Sequence, residues 1–429
     1  MQSDKAIFYH PLDDATESLQ SQAWTGTGNF AAGKISSGLL ADPGDSVSSF
    51  GTATTYFSGS SFLSRIVALS ATKIVVAYRR ANSGRAKVGT ISGTDITFGT
   101  EVEWLSSEPS NPPDIALTAI SATQVVVAYD DFTFMRAKVG TVSGTDITFG
   151  TERIFNSSPA SGGGLVVEKL TSTRVILAYS VGSSEAKSRV GIISGTTMTI
   201  GPDTQFRSGN TGTQAVAVLS STTFVVLYRE TASSGDAFGR VGTISGNAVT
   251  FGTEVALALA IGGNRSLTAA GLSTTKFAVM YRSSGNLGKA KVGTVSGTDV
   301  TFGAEAEFFG SSVTDNLEAE KISSSQFAIT YRNNLNDGDT KIGTVSGTDV
   351  TFGAATEHNG GTDSQYNTVA LLDSTSIVVG YTDGTTAAAK VGTLAASAAA
   401  RTAPTPGAYA TAAAATKVGF VGWLKNPSA

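Results

Sequence analysis

Apolar residues in this chain fall in short runs separated by two or three polar positions. Ile115-Ala116-Leu117-Thr118-Ala119-Ile120 is followed by Ser121-Ala122-Thr123 and then by Gln124-Val125-Val126-Val127-Ala128-Tyr129. β-Branched and aromatic side chains suit a pleated, half-buried surface, whereas Ser, Asn, Asp and Gly suit the joints. The pattern predicts strands over 115–120 and 124–129, a variable polar loop, and a third strand over 136–143. A tight turn at Gly144-Thr145 and a fourth strand over 146–155 complete the unit.

The unit repeats. Lys138-Val139-Gly140-Thr141-Val142-Ser143-Gly144-Thr145-Asp146-Ile147-Thr148-Phe149-Gly150 has close copies beginning at Lys87, Arg189, Arg240, Lys291 and Lys341, and a truncated copy at Lys390. Successive starts lie 51, 51, 51, 51, 50 and 49 residues apart. A β-type repeat of that period marks a propeller blade or a solenoid coil.

The ends decide between the two. A Phe-Gly pair follows the third strand at Phe98, Phe149, Phe251, Phe302 and Phe352, with Ile200-Gly201 in its place once. After Leu394 it is replaced by Ala395-Ala396-Ser397-Ala398. The missing piece stands upstream of the first unit, where Ser49-Phe50-Gly51-Thr52 resembles Thr301-Phe302-Gly303-Ala304. An N-terminal strand that completes the last blade closes a ring and removes its free edges. Tyr78, Tyr129, Tyr179, Tyr228, Tyr281, Tyr331 and Tyr381 each end a second strand, so the expectation is an all-β, seven-bladed β-propeller of four-stranded antiparallel blades. Its domains are an N-terminal arm over 1–48, the propeller over 49–396, and a C-terminal linker and anchoring tail over 397–429.

Composition narrows the function. Net charge is −4, which leaves no electrostatic footprint for nucleic acid or an anionic membrane. Without cysteine there are no disulfides, thiolate metal sites or Cys nucleophile. No apolar run reaches the roughly 20 residues of a membrane helix, and Met1-Gln2-Ser3-Asp4-Lys5 lacks the start of a secretory signal. Synthesis and folding in a cytosol are expected.

Candidate chemistry is sparse. The repeated Tyr and the repeated basic residue could stack on sugars and pair with acidic ones, but residues shared by every blade are what blade packing demands. The Tyr is therefore read as packing, and the basic residue as solvated or paired along a blade face. Specificity is expected in the variable loops, over 130–135, 333–339 and 359–366. Expected ligand or partner contacts are Trp104, the one Trp inside a blade; Asp131 and Phe132; Asn334 and Asp337; and Trp423 in the apolar C-terminal run. The oxygen-rich 334–339 loop does not follow the calcium-loop ligand order, so no metal is expected. His10 and His358 lie outside the repeated elements, and no nucleophile elbow, zinc or phosphate-loop motif occurs. Glu101, Glu152, Glu254 and Glu305 repeat and are read as structural. No enzyme activity and no cofactor is expected.

The Val-Gly-Thr-Val-Ser-Gly-Thr-Asp-Val-Thr-Phe-Gly units resemble repeats in propeller-type proteins of bacteriophages and environmental bacteria, especially virion-attached fibre and decoration proteins. The resemblance covers about four fifths of the chain and implies a structural or adhesive particle protein. Its partners would be other virion structural proteins, reached through the two terminal arms, and host-surface glycans, with a homo-oligomer or larger assembly as its setting. The alternative is a carbohydrate-binding propeller lectin of a bacterial surface or the extracellular space, and beyond that a glycosidase.

Overall fold

Each predicted run of alternating or fully apolar residues becomes a strand. The computed structural model describes residues 43–396, apart from residue 60 and residues 81–82, 107–113, 132, 159, 183–184, 210, 232–234, 259–260, 264–265, 312–315 and 362. It also describes the short pair Ala6–Ile7 with Ala23–Trp24. Of the N-terminal arm expected over 1–48, residues 43–48 belong to the propeller as part of the strand Pro43–Phe50; apart from the short pair, the rest of the two terminal arms, Phe132 and Trp423 lie outside the described residues.

Residues 42–396 form one unit of seven antiparallel sheets. We number the blades in chain order, blade 1 starting at Ser61 and blade 7 at Gln365. In blade 2, Ile115–Ser121, Gln124–Asp130 and Met135–Ser143 pair in sequence order from the centre outwards. The outer strand, expected as one piece over 146–155, is two pieces. Asp146–Phe149 and Arg153–Asn156 both pair with the third strand, on either side of a break at Gly150. The cause of the break lies in the next blade: a Cβ on Gly150 would overlap the carbonyl oxygen of Thr196, in the turn of blade 3. The same overlap recurs for Gly51 on Thr94, Gly99 on Thr145, Gly201 on Asn247, Gly252 on Thr298, Gly303 on Thr348 and Gly353 on Asp45. The Phe-Gly repeat is thus a close approach between neighbouring blades, made at every seam of the ring.

Ring closure is as expected. Pro43–Phe50 pairs with Thr386–Ala396 in the register Phe50↔Gly392, Ser49↔Thr393 and Val47↔Leu394. Thr54–Ser58 continues along the same strand, with Thr54 opposite Ala389. The innermost strands neighbour one another around the full circle, from Ser61–Ser70 through each blade to Gln365–Asp373, which returns to Ser61–Ser70.

The core lies between blades. Seven apolar clusters occupy the seven seams. Six residues beyond the Phe-Gly phenylalanine or its Ile equivalent stand Tyr56, Trp104, Phe155, Phe206, Leu257, Phe308 and His358. Each of the six aromatic or imidazole rings in that set meets the repeated Tyr of the following blade, with centroids 5.0 Å apart for Trp104 and Tyr129 and 5.3 Å for Phe155 and Tyr179. The repeated basic residue, expected to be solvated or paired along a blade face, pairs with a carboxylate of its own blade in Lys138 with Glu152 and Arg189 with Asp203, and at several seams it also ties blades together. Lys138 Nζ donates to the Trp104 carbonyl at 2.7 Å, Lys87 to Tyr56 at 2.7 Å, Lys291 to Leu257 at 2.8 Å and Lys341 to Phe308 at 2.6 Å.

Candidate functional site

Antiparallel blades give the disc two unlike faces. The first-to-second and third-to-fourth connections emerge on one side, the second-to-third and blade-to-blade connections on the other. The first side carries near-identical tight turns, with Gly93, Gly144, Gly195, Gly246, Gly297 and Gly347 at φ between 58° and 62°, as a two-residue hairpin with glycine first requires. Side chains lock these turns across the seams: Gln124 Nε2 donates to the Gly195 carbonyl at 2.9 Å and Lys276 Nζ to that of Gly347 at 2.8 Å. The second side holds the loops that vary, and any recognition that distinguishes one blade from another must be built there.

At the loop-face end of the seams the repeated Tyr hydroxyls are capped by carboxylates. Tyr78 donates to Glu101, Tyr129 to Glu152, Tyr228 to Glu254 and Tyr281 to Glu305. Burial, then the adjacent carboxylate, pushes the Tyr129 hydroxyl far above its ordinary range. Burial alone would raise Glu152, but hydrogen bonds from Tyr129 and Arg136 hold it below the usual carboxylate value. The repeated glutamates thus have a structural task, as their recurrence implies.

Around these caps the seams differ. Between blades 7 and 1, Arg80 lies 5.2 Å over the half-buried Phe57 ring and bonds Glu101 at 3.1 Å, and Arg85 reaches Glu103 beside it. Between blades 3 and 4, Arg207 lies 5.3 Å over Phe238 and bridges Glu230 and Glu254, both at 2.6 Å. Each place combines a ring face, a guanidinium and two carboxylates on both sides of one seam. Such mixed-sign side chains at fixed separation can donate to and accept from neighbouring hydroxyl groups while the ring covers C–H surface. Sequence reasoning did not point to these groups, because each joins side chains from two adjacent blades.

The expected contacts are scattered rather than assembled. Trp104 is buried, its indole N–H donating to the Arg85 carbonyl at 2.9 Å, so its ring serves the seam and offers no face to a ligand. Asp131 is also buried and folds its own loop, accepting from the N–H groups of Thr133 and Phe134 and pairing with Arg136. Asn334 is exposed at the tip of the blade 6 loop and Asp337 is half-buried in its wall. That loop is tied inward by Asn333, whose Oδ1 accepts from Leu335 N at 2.8 Å and Asp337 N at 3.0 Å. Asn336 Oδ1 accepts from Arg332 at 2.7 Å, and Asp339 Oδ2 accepts from Asn333 Nδ2 at 3.1 Å. Among the described residues no group of three or more acidic or imidazole side chains is arranged to hold a metal.

A second polar place was not legible in the sequence. The inner strands enclose a channel lined in part by Arg65, Asp114, Glu168, Gln214, Thr268 and Glu318. Glu168 of blade 3 and Glu320 of blade 6 keep some contact with solvent yet are surrounded by protein. Burial, then Glu320 and Glu318, pushes the Glu168 carboxyl well up. Burial, then Glu318, raises Glu320 to about 8. Only a closed ring brings residues so distant in sequence to one axis.

No protein-family model and no curated protein matches the chain. Among solved structures it is similar to the six-bladed β-propeller lectin of Aleuria aurantia, at 12% identity over 70% of this chain and 97% of that one, TM-score 0.44. It is similar to the Hadza microbial sialidase Hz136, at 11% identity over 75% of this chain and 76% of that one, TM-score 0.45. It is also similar to the Penicillium chrysogenum α-L-arabinanase, at 11% identity over 80% of this chain and 98% of that one, TM-score 0.43.

Proposed function

We propose that the protein is a non-enzymatic binding propeller that takes neutral, hydroxyl-rich glycans at the loop-face ends of its seams. The observation that carries this reading is the grouping of Phe57, Arg80, Glu101 and Glu103 at one seam, matched by Phe238, Arg207, Glu230 and Glu254 at another. A carboxylate accepts from paired hydroxyls, a guanidinium donates to ring or glycosidic oxygens, and an aromatic face packs on the apolar side of a sugar. The test is a glycan array followed by calorimetry on the best oligosaccharide. Wild type is expected to bind, and Arg80→Ala and Arg207→Ala are each expected to weaken binding about tenfold while the melting temperature stays well above that of the binding assay. Absence of any retained glycan overturns the reading.

The narrower reading, an appendage of a phage particle with its propeller outward and its terminal arms as the mooring, rests on the likeness of the repeat units and is compatible with glycan binding. Mass spectrometry of purified particles tests it, and absence of the chain from them ends it. A hydrolase would have to draw on the channel carboxylates. Turnover of a polysaccharide by wild type, lost in Glu168→Gln, would replace binding with catalysis.

A further inference from the structure

One seam is built unlike the rest. Where Tyr56, Trp104, Phe155, Phe206, Leu257 and Phe308 fill the other six seams, the seam between blades 6 and 7 holds His358, with no exposed surface. Its apolar cluster has eight buried members and no buried aromatic ring, against twelve or more members and a buried Tyr in every other cluster among the described residues. The space is taken by polar groups. His358 Nδ1 meets Thr340 Oγ1 of its own blade at 3.1 Å, and Nε2 meets Asn367 Oδ1 of blade 7 at 3.1 Å. Ser364 Oγ donates to the same Asn367 oxygen at 2.6 Å. Thr340 stands where blades 1, 2, 5 and 7 have Ala86, Ala137, Ala290 and Ala389. Tyr381, which faces His358 in this seam, has no glutamate cap, because Ala53 occupies that position.

We propose that the seam between blades 6 and 7 is an acid-sensitive joint, at which a proton taken up by His358 loosens the ring before any other seam gives way. With Nε2–H donating to Asn367, Nδ1 is the acceptor for the Thr340 hydroxyl. A second proton arrives at Nδ1, forces that hydroxyl to turn, and leaves a cation in a site without a facing carboxylate. The surrounding charges do not supply one. Asp339 and Lys341 flank Thr340 and alternate to the other face of its strand. Asp363 is paired with Arg332, and Glu357 accepts from Gly361 N. From blade 7 the imidazole faces the Tyr381 ring at 5.6 Å, while Lys390 adds positive charge. Burial, aided by Lys390, accordingly holds the imidazole down at about 4.

Hydrogen exchange followed by mass spectrometry between pH 7 and 4.5, corrected for intrinsic rates, tests the joint. Wild type is expected to lose protection about tenfold or more in peptides spanning 338–346 and 365–373, with blades 2 to 4 unchanged. His358→Phe, which restores an apolar ring, is expected to abolish the difference. Unchanged protection of that seam at pH 4.5, uniform loosening of all seams, or the same loosening in His358→Phe overturns the proposal. If His358→Phe does not fold, His10→Ala leaves one imidazole to follow by NMR. An imidazole that stays neutral until the seam peptides begin to exchange supports the joint, and one that titrates near 6.5 with the seam intact refutes it.

Discussion

Gly150 shows how much a single position can demand. Its φ requires nothing unusual, yet the Thr196 carbonyl of the next blade occupies the space of a Cβ, so the constraint is one of approach and not of backbone conformation. Gly150→Ala should separate blades 2 and 3 locally and cost about 3 kcal/mol, read as a lower urea midpoint. Gly144→Ala offers a contrast: its Cβ would meet nothing within 4 Å, and the penalty comes from φ alone. The recurrence of Phe-Gly was visible in the sequence, but the reason for it was not, since a neighbouring carbonyl leaves no trace in residue identity. The same holds for the repeated lysines, whose partners include backbone oxygens in the preceding blade. Trp104 misled for a related reason. Rarity suggested recognition, whereas its place six residues after Phe98 puts it among the seam rings.

At the scale of the strand, period and turn chemistry made nearly everything legible. The first three strands of blade 2 were expected at 115–120, 124–129 and 136–143, and they are found within a residue or so at either end. The split outer strand was missed because what interrupts it belongs to another blade. Closure was legible because the truncated last copy and the extra first fragment complement each other. Removal of residues through Ser58 would strip both pieces from the outside of Thr386–Ala396 and leave its backbone groups unpaired. That variant is expected to aggregate or melt well below the full chain in light-scattering and calorimetric scans, since an open sheet edge templates further pairing. Unchanged melting and a monodisperse sample would contradict closure by this strand.

Over the molecule as a whole, the ring creates surroundings that no single blade contains. Glu168 and Glu320 repel one another only because blades 3 and 6 face the same axis. With Glu320 raised to about 8 from an ordinary 4.5, the native state holds its proton more tightly than the unfolded chain does. The charged form therefore costs stability in full above pH 8, and the cost fades as pH falls towards 4.5. Glu320→Gln should raise the melting temperature at pH 8.5, by about 2 °C after solvent screening, and leave it unaltered at pH 5. This slope is opposite in sign to that of His358, which weakens the protein as pH falls from 6.5 towards 4. Neither group could be picked from the sequence, because partial burial in a channel or a seam depends on the complete circle. Function was the least legible level, for the loop-face groups draw their members from two blades each. The shared blade has one more effect, on biosynthesis. Ser48 Oγ donates to the Thr393 carbonyl across 345 positions of chain. At ordinary ribosomal rates the first of these segments waits on the order of tens of seconds for the second. Until Thr386–Ala396 emerges, the nascent blades form an open arc whose leading strand has no mate, and the arrival of that strand ends the exposure.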